Sequence, residues 1–198
     1  MPADALALVL DQLNRFILRD DGGGSSDTRP AIWGNVAQLD HPETALALEN
    51  QLLLSLVNVQ EEGALRNTPG AAVGPQGVTY RHPPLHLNLF LLFSANYRNY
   101  ETALKRLAQV LRFFQGRRVF TLASAPGALP DPPPFEDLSL TVDLLSLSFE
   151  EINHLWGSLG GRQMPFALYR GRMVVLETPG ARAEGGLVRE VDVVGRGT

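Results

Sequence analysis

"PPLHLNLFLLFSANYRNYETALKRLAQVLRFFQG", residues 83–116, holds the main structural decision of the chain. Leu85, Leu87, Leu89, Leu91 and Phe93 fall on one face of an alternating run. His86 and Asn88 lead the other face, which turns apolar at Phe90 and Leu92. That period of two predicts a strand that enters the core as it proceeds. Pro83 and Pro84 cannot donate to a ladder and mark an edge or bend before it. Asn99 then stands as an N-cap with Glu101 in the first turn. Tyr100, Ala103, Leu104, Leu107, Leu111 and Phe114 recur at helical spacing until Gly116 stops the helix. The junction "FSANYRNY" has no glycine, so it is neither a phosphate loop nor a dinucleotide fingerprint. Ser94 is not flanked as a nucleophile elbow either. The junction reads as scaffold.

Upstream, Leu6, Val9, Leu10, Leu13, Phe16 and Ile17 predict an amphipathic helix over 3–19, ended by "DDGGGSSD". "RPAIWGNVAQL", 29–39, reads as a short strand closed by the turn "DHPE", and "QLLLSLVNVQEE", 51–62, as a buried strand. Residues 67–77, "NTPGAAVGPQG", offer almost nothing to pack and predict a mobile hairpin tip. Downstream, "PGALPDPPP", 126–134, is a stiff connector to a strand, "LSLTVDLLSL". Ser148 and Glu151 make a capping box, opening a helix whose Ile152, Leu155, Trp156 and Leu159 face inward until Gly160 and Gly161. "PFALYRGRMVVLE", 165–177, is a further strand. These elements predict one α+β domain over 1–177, a mixed sheet of about five or six strands flanked by three helices. Residues 178–198 form a flexible tail in which "LVREVDVV" is able to pair as a strand.

The chain has 198 residues, no cysteine, a net charge of -4 and a pI near 5.6. Without cysteine there are no disulfides, thiolate metal sites or cysteine nucleophiles, which fits a cytoplasmic origin. The acidic balance argues against nucleic acid as a partner. No stretch has the apolar length of a membrane span, and the start lacks the basic residues of a signal peptide. His41, His82, His86 and His154 have no metal-ligand spacing, and the two prolines between His82 and His86 break any shared helical face. No catalytic, cofactor or metal residues emerge, so we expect a binding or assembly module and not an enzyme. Lys105, Arg106, Arg112, Arg117 and Arg118 place positive charge along and beyond the central helix, either as solvated surface or as a contact for an acidic partner surface; Lys105, Arg112, Arg117 and Arg118 are the candidate interface residues.

Three stretches in order, "LSLVNVQEEGALRN", "PPLHLNLFLLFSANYRNYETALKRLAQVLRFFQGRRVFT" and "LLSLSFEEINHLWGSLGGRQMPFALYRGRMV", resemble one family over most of residues 5–177. It is the tail terminator, or cap, of phage-tail-like contractile injection systems, of the Photorhabdus virulence cassette and antifeeding prophage type. The resemblance implies a structural protein with a tail-terminator-like fold, forming a hexameric ring that ends polymerisation of the inner tube and sheath. It implies those two proteins as partners, assembly in the cytoplasm as part of a particle open to release, and no active site. On this reading six hairpins near 63–78 narrow the ring opening, while Glu61, Glu62 and Arg66 pair between neighbours at their base. His86 departs from an expected aromatic and Gly171 from an expected β-branched residue. The alternatives are a DNA-contacting phage terminator and a small α/β enzyme.

Overall fold

The computed structural model describes residues 2–23, 29–63, 71–74, 77–80, 85–124, 139–176 and 183–185. For 71–74, 77–80, 173–176 and 183–185 the backbone alone is described. The central strand is β5 (Leu85–Asn96), flanked by β2 (Gln51–Glu61) and β8 (Phe166–Leu176), both antiparallel to it. Outward lie β1 (Ala31–Trp33), parallel to β2, and β7 (Ser139–Leu145) with β6 (Val119–Thr121), giving the order β1-β2-β5-β8-β7-β6. The six strands form a mixed sheet, as expected.

The strand period sorts side chains cleanly. Leu52, Leu54, Leu91, Phe93, Ala167 and Tyr169 lie in one core cluster. Their neighbours Leu53, Leu92 and Leu168 lie in the other. The sheet is therefore buried on both faces, and each face needs a helical cover. α1 (Pro2–Asp20) and α3 (Tyr100–Gly116) cover the larger core, in which Phe93, Phe113, Phe114, Phe120 and Tyr169 meet at tilted or edge-on angles. α4 (Phe149–Ser158) covers the other face with Trp156, Ile152 and Leu155, beside a short α2 (Pro42–Ala47).

α1 touches both edge strands, β1 and β6. Two nearby side chains make those ties. Asn14 donates Nδ2–H to the Ala31 carbonyl at 2.8 Å and accepts the Ala31 N–H at 2.8 Å, so its amide stands in for a further strand beside β1. Gln12 donates to Ser124 Oγ at 3.0 Å, just after β6. The sheet is curled until one helix reaches both of its edges.

Several expectations are corrected. The 29–39 strand lasts only from Ala31 to Trp33, because the Asn35 side chain accepts the Ala37 N–H at 3.1 Å and caps a 3-10 turn, Val36–Gln38. The "DHPE" turn opens α2, a fourth helix, with Pro42 at its first position. The inward face of α3 is Ala103, Gln109, Val110, Phe113 and Phe114, while Tyr100, Leu104 and Leu111 are exposed. The predicted tip is narrower than 67–77: β3 (Ala71–Gly74) pairs with β4 (Gly77–Tyr80). β4 also pairs with β9 (Ala183–Gly185), so a tail strand exists four residues before the "LVREVDVV" stretch. That stretch, Arg66 and the 126–134 connector lie outside the described residues. β2 leads to β3, β4 to β5 and β8 to β9, and the small sheet keeps the order β3-β4-β9 of its parent strands β2-β5-β8.

Candidate functional site

The caps expected on α3 and α4 are present. Asn99 Oδ1 accepts the Thr102 N–H at 2.9 Å, and in α4 Ser148 and Glu151 exchange both capping-box bonds, at 2.7 and 3.2 Å. These caps fix where α3 and α4 begin and so what their flanks display. The bond from the Ser148 backbone holds the Glu151 carboxyl below its usual range.

The predicted interface residues divide into two places. Glu61 ends β2, and Glu62 donates its N–H to the His86 carbonyl at 2.7 Å and accepts from Asn88 Nδ2 at 2.9 Å. The cations lie on the α1–α3 layer instead. Lys105 is 3.2 Å from Asp21 and Arg112 is 2.6 Å from Asp20, while Arg117 donates to Gln12. The Arg118 carbonyl accepts the Val142 N–H at 2.8 Å. Much of this positive charge is thus tied to the end of α1.

That tie is a network around Gln109, which is fully buried on α3. Its Nε2 donates to Asp20 at 2.7 Å and to Asp21 at 3.0 Å, and its Oε1 accepts from Arg106 at 2.9 Å. Arg106 also pairs with Asp21. The Gln109 hydrogen bond, aided by Arg112, holds the Asp20 carboxyl below its usual range. Burial pushes Asp21 up, but hydrogen bonds from Arg106, Gln109 and Lys105 outweigh it and leave that group lowered as well.

Two surface clefts border α3. One of about 460 Å³ lies against β7 and β8, lined by Leu111, Phe114, Arg118, Leu144 and Tyr169. The other, about 380 Å³, lies between α1 and α3. Its floor is Phe16 and Phe113, with ring centroids 5.5 Å apart, and its rim carries Arg15, Arg19, Arg112 and Arg117. Sequence reading missed Arg15, Arg19 and Phe149. The i,i+4 spacing of the two arginines was a usable signal. Phe149 gave a misleading one: its phase matches Ile152 and Trp156, yet it is 92% exposed.

Among the described residues no group of three or more His, Asp or Glu side chains is placed to hold a metal ion. No helix among them is long and apolar enough to cross a membrane. The molecule displays charged helical faces and exposed apolar side chains, the means of binding other macromolecules.

A curled mixed sheet covered by helices on both faces, with a three-stranded continuation, is the fold of a sheath/tube terminator. The chain belongs to the Pvc16 N-terminal domain family, which matches residues 6–190. Among solved structures it is similar to the PVC sheath/tube terminator of an extracellular contractile injection system in the extended state. That match has 17% identity and a TM-score of 0.58, covering 98% of this chain and 63% of the other. The chain therefore spans less than two thirds of that protein. The anti-feeding prophage cap, a tube-terminating cap, is similar at 14% identity with a TM-score of 0.45, covering 73% of this chain and 48% of the cap. No curated protein matches.

Proposed function

We propose that this chain is a structural terminator of a contractile injection system: a hexameric ring seated on the inner tube and sheath that stops both from growing. The observation that carries the reading is family membership over 6–190 joined to a terminator fold spanning 98% of the chain. The protein works by binding alone. Assembly takes place in the cytoplasm, and the ring leaves with the particle. Residues 1–177 act as one body, with 178–198 as a tail that contributes β9. Glu61, Glu62 and Arg66 serve contacts at the base of the β3–β4 hairpin, and Lys105, Arg112, Arg117 and Arg118 serve contacts along α3.

The test is to add purified chain to tube protein during polymerisation. Tubes capped at one end, with arrested growth and label confined to that end, are expected. Tubes that lengthen unchanged and carry no end label would refute the reading. The basic α1–α3 rim is the feature that favours the DNA-contacting alternative. Duplex binding that falls steeply between low and moderate salt would move the assignment there.

A further inference from the structure

The two helical layers carry opposite charge. Residues 2–21 and 100–118, the α1–α3 layer, hold seven basic and five acidic side chains. Residues 35–49 and 148–162, the α2–α4 layer, hold one basic and five acidic. Across the sheet, one face is positive and the other negative.

Each face also bears a shape. On the positive face, the α1–α3 cleft has an aromatic floor and four arginines at its rim. Internal partners use only part of that charge. Arg15 pairs with Asp11 at 2.9 Å and Arg112 with Asp20, Arg117 meets the neutral Gln12, and Arg19 has no ionic partner among the described residues. On the negative face, Phe149 begins α4 and stands almost wholly in solvent, followed at once by Glu150 and Glu151. It falls on the inward phase of α4 but stays exposed among the described residues. An exposed aromatic beside two carboxylates is the complement of an aromatic floor ringed by arginines.

We propose that copies of this chain join head to tail, with Phe149 and Glu150 of one copy seated in the α1–α3 cleft of the next. The inference rests on the ring in the proposed function and gives it a contact. Because knob and cleft lie on opposite faces of the sheet, one copy offers both at once. Such a contact is heterologous, and it closes into a ring when the rotation per step divides the circle. The buried aromatic supplies most of the affinity, and the arginine–glutamate pairs fix the register.

The experiment uses the purified full chain, whose lack of cysteine makes site-specific coupling clean. A double variant, Arg19→Cys with Glu150→Cys, treated with a short bismaleimide is expected to give covalent multimers joined between those two positions. Each single variant should give none beyond background. Sedimentation measures the second arm. Arg19→Glu and Glu150→Arg are each expected to weaken self-association about tenfold, and the double swap to restore it. Phe149→Ala should weaken it further while leaving the melting temperature of the dilute chain unchanged, because the side chain is almost wholly exposed. No association at about millimolar concentration, no cross-link, or a double swap no better than the singles would overturn the proposal. Cleft binding of an added acidic peptide or polyanion without self-association would overturn it too. Tube capping that persists when these variants behave like the parent sinks this contact and leaves the terminator reading intact. Failure of the parent chain to cap tubes sinks that reading alone.

Discussion

Gly171 shows what a single residue decides here. It pairs with Leu89 of β5 and Val142 of β7, and a Cβ built on it would lie 2.8 Å from Leu140 Cδ1. Leu140 is fully buried and fills the space where a β-branched side chain was expected. Gly171→Val should therefore cost about 1–3 kcal/mol, and Leu140→Ala in that background should cost less than it does alone. Chemical denaturation of the four proteins measures the cycle. Asn14 is the other decisive residue: replacing it with Ala leaves the Ala31 N–H and carbonyl without their partner. We expect a loss of about 2 kcal/mol, read as a fall in Tm of about 4–8 °C. Tyr169, buried between β8 and α3, has its hydroxyl pushed up to about 12 from 10.0 by desolvation. The folded state then holds its proton where the unfolded chain loses it, so stability declines as pH rises from 10 towards 12. Tyr169→Phe should flatten that decline in a pH series of unfolding curves.

At the scale of elements, the junction of α1 and α3 makes stability depend on acid. Asp20 and Asp21 are both held below the ordinary carboxyl value of 3.8. The unfolded chain takes up protons first as pH falls, so their contribution is complete above about pH 4 and drains away as pH drops through the folded values. Asp20→Asn with Asp21→Asn should be less stable at pH 7 and show a weaker loss towards pH 3, by thermal unfolding. Most elements were legible because their signals are local: the period of β5, the Asn99 cap and the Ser148–Glu151 box all depend on residues within one turn. α2 was hidden because six residues opening on His-Pro carry a turn signal as strong as a helix signal. β9 was hidden because its strand character comes from pairing with β4, which "AEG" does not announce. The exposed side of α3 was misassigned since Leu104 and Leu111 share the helix with apolar residues on the buried face, and only the curl of the sheet says which side it covers.

For the whole molecule, the α+β class and the terminator likeness were legible, whereas the layout of charge was not. Arg112 and Asp20 pair across 92 residues, and the cleft that Arg112 borders with Arg15 and Arg19 exists only once α1 lies on α3. The clasp of α1 over both sheet edges has a further consequence, in time. Its anchors, Ala31 and Ser124, are 17 and 112 residues from their partners on the helix. α1 leaves the ribosome before either anchor and thus cannot finish docking until β6 has emerged. At a synthesis rate of about 5–20 residues per second, its apolar side waits on the order of 5–20 s for its second anchor. Leu6, Val9, Leu13 and Ile17 are all buried in the finished fold, so during that interval they are a binding surface for any holdase within reach. The nascent chain is expected to be most prone to chaperone capture and aggregation before residue 124 clears the exit tunnel, and arrested-chain proteolysis should show α1 becoming protected only after that length.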